Sequence, residues 1–435
     1  MRMDLSPKIG LAGVQWMFFI LTNTVVVPLT LGHVFHMPTE QIAFTLQISF
    51  LLTGAVCMLQ ALFGHRYALM DGPSGVWWGC TLSLASSAAL GGTDPASVGG
   101  GLAAGFLLSG LMMIVLGSLG FIRVLRKLFN PLVISVSLFL LAAQLMKNFF
   151  VGMLDIQEDG LLNPPVAGLS ILIALFVGVV YLKGRGWVSN FAMLFGIMAG
   201  WIAYALLFPS AGGLQLQAGA EAVLFPWGRP KLDIGIALTS LVIGFINMSS
   251  TVTALNAAEK LYGQKSTESQ YKRAFLITGL FTMIAPVFGL LPFGTFASSL
   301  GLLESTKILQ RSALVIGGAL FLTLGLIPPL GTLFSQLPVS VGSAVLFIAY
   351  LQMFGTAVRS IRGTVFDSKT IYRIALPILL GISIMNTPAL AFMGLPVSIR
   401  PLASNGLVVG ILVSVFLELA VNWSRLEKES KSGSS

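Results

Sequence analysis

Residues 70–79 read MDGPSGVWWG, and they interrupt a chain that is mostly hydrocarbon on both sides. The stretch holds an Asp, a Pro, three Gly and two Trp. A helix broken inside a bilayer leaves backbone N–H and C=O groups unpaired, and lipid cannot satisfy them. The stretch therefore predicts a broken membrane helix that lines an internal polar site.

The rest of the chain is typical of an integral membrane protein. Its 435 residues are 55% hydrophobic and 9% charged, and the mean hydropathy is +0.89, whereas soluble domains carry about 25% charged residues. At about 20 residues per span, the apolar runs predict roughly fourteen membrane helices. The third, at 74–90, and the tenth, at 294–303, are short or broken. We expect an all-α, multi-pass protein in the lipid bilayer of the plasma membrane.

The basic residues predict the orientation of the chain. With an even number of spans, all but four of the 25 Lys and Arg fall on the side that holds both termini. The exceptions are Lys147, Arg229, Lys231 and Arg400. By the positive-inside rule, both termini are cytoplasmic, and the net charge of +9 does not indicate a nucleic-acid partner. The polar, Ser-rich residues 425–435 are expected to form a disordered cytoplasmic tail.

The chain divides into two halves that resemble each other in pattern. A polar stretch at 209–232 separates about seven predicted spans from about seven others, and an odd number of spans inverts the second half relative to the first. The third span of each half carries Pro and Gly: MDGPSGVWWGCTLSLA and LLPFGTFASSLGLLESTK. Paired broken spans point to a transporter binding site between the repeats. Two proline kinks without a ligand are the structural alternative.

The second broken span carries a family signature. Residues 291–307, LPFGTFASSLGLLESTK, resemble the signature of the nucleobase cation symporter-2 family, also called nucleobase–ascorbate transporters. Gly301, Thr306 and Lys307 fit that signature in register, and Thr295-Phe296-Ala297 matches its lead-in. Ser298 stands where the family has Gln, Glu or Pro, and Ser299 stands where it has Asn.

Three further stretches extend the resemblance over nearly the whole chain. GVQWMFFILTNTVVVP (13–28) is similar to the family's first span, with Gln15 kept and Trp16 in the place of the usual His. INMSSTVTALNAA (246–258) resembles the eighth span, and SQLPVSVGSAVLFIAYLQMFGTAVRSI (335–361) resembles the twelfth. The pattern is closest to the divergent bacterial branch of uracil/xanthine or purine permeases.

The resemblance implies a fold and a function. The fold would comprise a core domain from 1–122 and 233–334 and a gate domain from 123–232 and 335–424, usually in a homodimer. The function would be secondary active import of a nucleobase such as xanthine, uracil or another purine, by alternating access. A proton is the expected coupling ion and sodium the alternative. The chain would have no cofactor, no metal site and no enzymatic activity.

A nucleobase site needs an aromatic face, an edge partner and backbone N–H groups. Stacking a base on an aromatic side chain contributes about 1–3 kcal/mol, and Trp77 is the preferred stacking residue. Gly75 would let the backbone approach the ligand. Asn247 lies where most family members have a Glu that holds the base, and a carboxamide can pair with a base edge through two hydrogen bonds. An interhelical contact is the alternative role for Asn247.

Three other polar residues are weaker candidates for the substrate site. Ser298 and Ser299 occupy variable positions of the signature, and Gln15 matches the family's first-span glutamine. Serine is also common in helix contacts, so each serine has a structural alternative.

Proton coupling needs a titratable group in the membrane. Since Asn247 replaces the family's Glu, Asp71 and Glu418 are the acidic residues within predicted spans. Glu418 lies close to the end of the last span and is expected to reach the interface, so Asp71 is the predicted ion-coupling residue, with helix capping as its alternative. His33, His36 and His65 fall in predicted loops, where solvation or loop contacts are expected rather than a proton relay.

Other classes of protein fit the sequence less well. GPSG at 72–75 matches the Gly-x-Ser-Gly of intramembrane serine proteases, but no His follows residue 65 to act as general base. Cys57 and Cys80 lie within predicted spans and indicate neither a disulfide nor a metal site. Channels usually build their filter from several subunits. The alternatives that stay open are an anion carrier of the related seven-plus-seven inverted fold and a nucleobase facilitator without ion coupling.

Overall fold

Helices make up nearly all the regular structure of the protein, in a computed structural model that describes residues 6–90, 94–156, 161–185, 187–209, 222–396, 398–421 and 423. The predicted tail at 425–435 lies outside the described residues, as does 210–221 of the predicted connector. Fold and site are described below for these ranges alone.

The first half of the chain contains these elements: α1 (Pro7–Thr24), α2 (Val26–Val34), α3 (Thr39–Leu62), β1 (Asp71–Pro73), α4 (Gly75–Leu90), α5 (Pro95–Ser118), α6 (Ile122–Leu128), α7 (Pro131–Leu154), α8 (Pro164–Lys183), α9 (Trp187–Asn190) and α10 (Ala192–Leu207). The second half contains α11 (Ile234–Tyr262), α12 (Glu268–Ile284), β2 (Phe293–Thr295), α13 (Ser299–Thr306), α14 (Arg311–Gly325), α15 (Pro328–Ser335), α16 (Val339–Ser360), α17 (Ser368–Asn386), α18 (Arg400–Ala403) and α19 (Gly406–Ala420). Short 3₁₀ helices follow α12 at Ala285–Phe288 and α17 at Ala389–Phe392.

Several of these helices begin at an Asp or Asn that the sequence places before the apolar run. Asp94 accepts from the backbone N–H of Ser97 at the start of α5, and Asn130 accepts from two N–H groups at the start of α7. Pro95 and Pro131 follow these caps at the first helical position, where a missing N–H costs nothing. Asp233 caps α11 in the same way. The caps fix where each span begins after a short loop.

Nine helices in the described ranges are long and apolar enough to cross a membrane. The pair α14 and α15, bent by 86°, adds a tenth when counted as one span. Two apolar helices are shorter, α10 and α19, and the half-helices α4 and α13 begin at the two predicted breaks. The predicted α-helical membrane fold is confirmed, while the count of fourteen spans stays a prediction.

The two breaks pair with each other across the molecule. β1 and β2 form an antiparallel two-stranded ladder, with Asp71 opposite Thr295, Gly72 opposite Gly294, and Pro73 opposite Phe293. All six residues are buried. The ladder pairs backbone groups that a break would otherwise leave unsatisfied in the membrane, and it is the exception to an all-helical description of the chain.

The helices pack in two groups. The strand-bearing bundle consists of α1, α3, α4, α5 and α11–α14 around the ladder, with α3 and α1 against α14 and with α5 against α11 and α12. The second bundle consists of α7, α8, α10, α16, α17 and α19, in which α7 lies against α16, α17 and α19. Only 17% of the apolar window of α17 is buried inside the chain, which suits a lipid-facing helix. The core and gate boundaries drawn from the resemblance stay a prediction.

Candidate functional site

The ladder places the starts of two half-helices side by side. The Ser74 N–H donates to the Pro292 carbonyl at 3.0 Å, and the Phe296 N–H donates to the Met70 carbonyl at 2.8 Å, so the pairing extends past both strands. α4 starts directly after β1 and α13 starts shortly after β2. The first N–H groups of a helix have no partner within it and carry a partial positive charge. Two such ends therefore meet inside one bundle, where a polar ligand could use them.

Asn247 of α11 bridges the two breaks. Its Oδ1 accepts from the Ser74 Oγ at 2.7 Å, and its Nδ2 donates to the Phe293 carbonyl at 2.8 Å. The side chain is fully buried. Gly294 makes room for it, because a Cβ at that position would lie 2.8 Å from the Asn247 Oδ1. In this conformation the carboxamide is satisfied by protein, and a ligand would have to take the place of the Ser74 hydroxyl.

Both tryptophans of the first break are buried. Trp77 packs edge-on against Phe106 of α5, with ring centroids 4.8 Å apart. Trp78 donates from Nε1 to the Thr30 Oγ1 at 3.0 Å and packs against Phe149 of the second bundle. Neither ring has an open face in this conformation, so the stacking role of Trp77 stays a prediction.

The two serines of the signature differ in placement. Ser299 is fully buried, and its Oγ accepts from the Met70 N–H at 3.0 Å, which ties the start of α13 to the segment before β1. Ser298 is exposed. Gln15 is partly exposed and lines a small cavity with residues of α1, α13 and α10: Phe18, Phe19, Thr22, Phe191, Leu194 and Leu302. Gly75 faces the second bundle, since a Cβ there would touch Leu141, Leu145 and Tyr350 at 3.7–3.9 Å.

The two half-helices that follow the ladder differ in exposure. On α13, the side chain of Glu304 and the backbone at Gly301 are exposed, as is Ser298. On α4, residues 77–82 are buried. The Gln144 Nε2 of α7 donates to the Gly79 carbonyl at 2.8 Å, across the boundary between the bundles. The second bundle thus covers α4 and leaves one face of α13 uncovered.

Asp71 is a fully buried carboxyl at the start of β1. Its Oδ2 accepts from the Gln60 Nε2 and the Thr278 Oγ1, both at 2.9 Å. Its Oδ1 has no hydrogen-bond partner among the described residues. The nearest basic group is the Nε2 of His65, at 3.8 Å.

His65 makes loop contacts, one of its two expected roles, and is not solvated. The side chain is fully buried, because the loop between α3 and β1 folds inward under the ladder. The Tyr67 N–H donates to His65 Nδ1 at 3.1 Å, and the Gln270 Nε2 donates to the His65 carbonyl at 2.7 Å. His33 and His36 are exposed, as expected of loop residues.

Glu418 is neutralised inside the second bundle. Its two oxygens accept from Arg373 at 2.7 Å each, and the Asn130 Nδ2 donates to it at 2.7 Å. The side chain is only 10% exposed, and the expectation that it reaches the interface stays a prediction. Cys57 and Cys80 are buried free thiols, and the described residues contain no group of side chains suited to a metal ion.

Residues 7–390 match the model of a permease family. The match covers most of the chain and includes both broken spans. The chain belongs to this permease family. It is the nucleobase–ascorbate transporter family that the motifs resemble, so the chain is a multi-pass membrane transporter and not an enzyme.

The permease aligns with curated relatives over nearly its whole length. YwdJ of Bacillus subtilis (strain 168) is 28% identical over 97% of this chain and 98% of its own. Uric acid permease PucJ of the same organism is 27% identical over 95% of this chain and 92% of its own. Uric acid transporter UacT of Escherichia coli (strain K12) is 24% identical over 96% of this chain and 87% of its own.

The fold of the permease is shared with a solved transporter. The transmembrane domain of the cyanobacterial bicarbonate transporter BicA superposes with a TM-score of 0.60, over 94% of this chain and 97% of that one, at 13% sequence identity. At this identity the likeness shows the fold alone. The permease therefore has the inverted-repeat membrane fold of that transporter class, while the count of fourteen spans stays a prediction.

Proposed function

We propose that this permease imports a purine nucleobase, in the class of uric acid and xanthine, by alternating access driven by a proton gradient. Support comes from the family match over residues 7–390 and from relatives named for uric acid and xanthine. A purine base is a flat ring whose edge alternates donors and acceptors. The polar groups around the ladder are amide, hydroxyl and backbone groups, which suit such an edge.

The observation that carries the proposal is the position of Asn247. Its carboxamide joins the ends of both breaks, and it can donate and accept at once. A base that offers a donor to Oδ1 and an acceptor to Nδ2 would replace the contacts to Ser74 and the Phe293 carbonyl. Binding would then separate the half-helices from each other and tie them to the ligand.

The unequal covering of the two half-helices by the second bundle supports alternating access. One face of α13 is open while α4 is covered by the second bundle. Exposure of the opposite side would require contacts such as Gln144 to Gly79 to part. We assign the core role to residues 1–122 and 233–334 and the gate role to 123–232 and 335–424. The open end is the one that carries Lys307, which we place in the cytoplasm.

Asp71 is the proposed coupling residue. It is the buried carboxyl of the described chain that lacks a Lys or Arg partner, whereas Glu418 is paired with Arg373. A carboxyl in this setting can exist protonated and neutral, and release its proton when the site becomes hydrated. We favour a proton over sodium as the coupling ion. A facilitator without ion coupling would leave the buried Asp71 without a role in transport.

An anion carrier is the second candidate, because BicA transports bicarbonate on the same fold. A fixed anion would need a positive side chain or a strongly polar cradle. Among the described residues no Lys or Arg is buried. The setting around Asn247 is therefore better suited to a neutral or weakly acidic ring.

We also propose where the permease is located and how it assembles. The relatives named above are bacterial, so we place the permease in the bacterial cytoplasmic membrane with both termini in the cytoplasm. We further propose a homodimer, the assembly that the family resemblance implies. Cross-linking of the purified protein in lipid nanodiscs that hold one or two copies would test the dimer.

Uptake of radiolabelled uric acid, xanthine, hypoxanthine and uracil tests the substrate, in cells stripped of their own nucleobase permeases. The measurement is made at two pH values, with and without a protonophore. Accumulation of a purine that collapses with the protonophore is expected. Saturable uptake of bicarbonate or sulfate without any nucleobase would favour the anion carrier instead.

Asn247→Ala tests the site directly. We expect the variant to lose uptake by a factor of at least about ten, because a buried polar edge of the substrate loses its two partners. The matched control is Thr239→Ala, two turns earlier in α11, where the buried hydroxyl only donates to the Gly235 carbonyl of its own helix. Membrane expression and elution profile show that both variants fold. Wild-type uptake in Asn247→Ala would exclude Asn247 from the binding site.

A further inference from the structure

His65 and Asp71 form a buried pair in which both facing atoms are unpartnered. The His65 Nε2 and the Asp71 Oδ1 lie 3.8 Å apart, and both side chains are fully buried. Neither atom has a hydrogen bond to any described residue. An unpaired buried polar atom is costly, so the two facing atoms mark a place where a change of protonation would change the hydrogen bonding.

The tautomer of His65 follows from its contacts. The Tyr67 backbone N–H donates to Nδ1, so Nδ1 must present a lone pair and the ring proton must lie on Nε2. A doubly protonated ring would set two N–H groups against each other at Nδ1. His65 therefore remains neutral in this geometry and points an N–H group at Asp71.

The proton on Asp71 is located by the same reasoning. Oδ2 already accepts from the Gln60 Nε2 and the Thr278 Oγ1, which leaves Oδ1 as the oxygen that can carry a proton. In this structure the separation of 3.8 Å between Nε2 and Oδ1 is too long for a hydrogen bond. Without that proton, the carboxylate can accept from Nε2–H at about 2.8 Å, which requires a movement of about 1 Å.

We infer that His65 and Asp71 together form the proton-binding site of the transport cycle. Asp71 Oδ1 binds the proton, and His65 is a positioning residue that stabilises the carboxylate after the proton has left. The inference rests on the proposed proton coupling and adds a residue to it. It also argues against sodium, because an N–H group aimed at Oδ1 supplies no oxygen ligand for a cation.

The remaining titratable and charged groups around the pair are few. Among the described residues, α3 contributes the Cys57 thiol, which donates to the Asp71 carbonyl at 3.2 Å. The loop contributes Tyr67, whose ring stacks on His65 at 6.3 Å, and Arg66, which is exposed. α12 contributes the neutral Thr278, and β2 the neutral Thr295 opposite Asp71. Apart from His65, the groups that face Asp71 from these elements are thus neutral in charge.

The pair is connected to the substrate site by a short stretch of chain. Asp71 opens β1, and three residues later Ser74 donates to Asn247. The His65 loop is tied to the neighbouring helices, because the Ala68 N–H donates to the Tyr262 hydroxyl and Gln270 donates to the His65 carbonyl. Movement of the loop toward a deprotonated Asp71 would therefore pull on the strand that precedes Ser74.

The test compares purified, reconstituted wild type with His65→Leu, His65→Gln, Asp71→Asn and the control His33→Leu. The readout is the pH dependence of purine uptake into proteoliposomes, with the pH of half-maximal uptake as the measured quantity. His65→Leu removes the donor that favours the carboxylate, so we expect that pH to rise by about one unit. His65→Gln restores an N–H donor and should return the midpoint toward wild type. His33→Leu, at an exposed position, should leave it unchanged.

Asp71→Asn should remove the pH dependence altogether in whatever uptake it retains. A second readout needs no substrate: infrared titration of the purified protein should show the C=O stretch of a buried carboxylic acid, absent in Asp71→Asn and titrating at higher pH in His65→Leu. A midpoint unmoved in both readouts by His65→Leu would overturn the role of His65. Wild-type pH dependence in Asp71→Asn would overturn the pair. If the wild type carries no base, the proposed function is wrong. The infrared titration would still test the roles of His65 and Asp71, because it needs no substrate.

Discussion

Ser74 and Asn247 satisfy each other in the absence of a ligand, and this contact sets a cost for binding. Replacing Ser74 by Ala leaves the Asn247 Oδ1 buried and without its donor. An unpaired buried acceptor costs about 1–3 kcal/mol. We expect Ser74→Ala to lower the melting temperature of the free protein. A purine that donates to Oδ1 should then raise the melting temperature of Ser74→Ala by more than it raises that of the wild type. Thermal unfolding followed by tryptophan fluorescence, with and without uric acid, measures both effects.

Ser249→Ala is the matched control for Ser74. Ser249 is a buried serine of the same helix as Asn247, but its Oγ only donates to the Ile246 carbonyl one turn earlier. Its removal leaves no buried side-chain atom unpaired, so both melting temperatures should stay near wild type. Equal ligand-induced shifts in Ser74→Ala and wild type would mean that the substrate does not displace the Ser74 hydroxyl.

Among the elements, α3 and α14 approach each other closely at a pair of glycines. A Cβ on Gly54 would lie 2.5 Å from the Gly318 carbonyl oxygen and 2.8 Å from the Leu322 nitrogen. Both obstacles are backbone and cannot rotate away. Gly54→Ala should therefore destabilise the strand-bearing bundle by about 1–3 kcal/mol.

Gly178→Ala in α8 is the control, because a Cβ there meets no described atom within 4 Å. The better helix propensity of Ala should leave its stability equal or slightly higher. A melting temperature of Gly54→Ala equal to that of Gly178→Ala would contradict the packing.

The same elements show how far sequence reasoning reaches. Local chemistry marked the breaks at 70–79 and 291–307, because Pro and Gly together in a short stretch disfavour a continuous apolar helix. The pairing of β1 with β2 was not predicted, since three-residue strands about two hundred residues apart leave no periodic signal. The burial of His65 was missed for the same reason: the contacts that hold it come from Tyr67 locally and from Gln270 of a distant helix. Asn247 was found because the family motif marked its position, whereas its partner Ser74 was not.

At the scale of the molecule, one set of contacts separates the two proposed access states. The second bundle covers α4 through Gln144 at Gly79, through Phe149 at Trp78, and through Asn405 at Cys80. The half-helix α13 has an exposed face on the other side of the ladder. The permease shares its fold with BicA, and α4 and α13 follow the two breaks in its two halves. An exchange of the two arrangements, with α13 covered and α4 released, is then the motion that would carry the substrate across.

A reversible cross-link between α4 and α19 tests this motion. The Cys80 Sγ lies 3.9 Å from the Asn405 Oδ1, so Asn405→Cys should place two thiols within reach of a disulfide, whose S–S length is about 2 Å. We expect copper phenanthroline to oxidise the pair and to stop purine uptake, and dithiothreitol to restore it. Oxidant should have no such effect on the wild type or on the double variant Asn405→Cys with Cys80→Ser. If the disulfide does not form, α4 and α19 do not meet at this point. If the cross-linked protein transports at the rate of its reduced form, the two helices do not separate during the cycle, and access must alternate elsewhere.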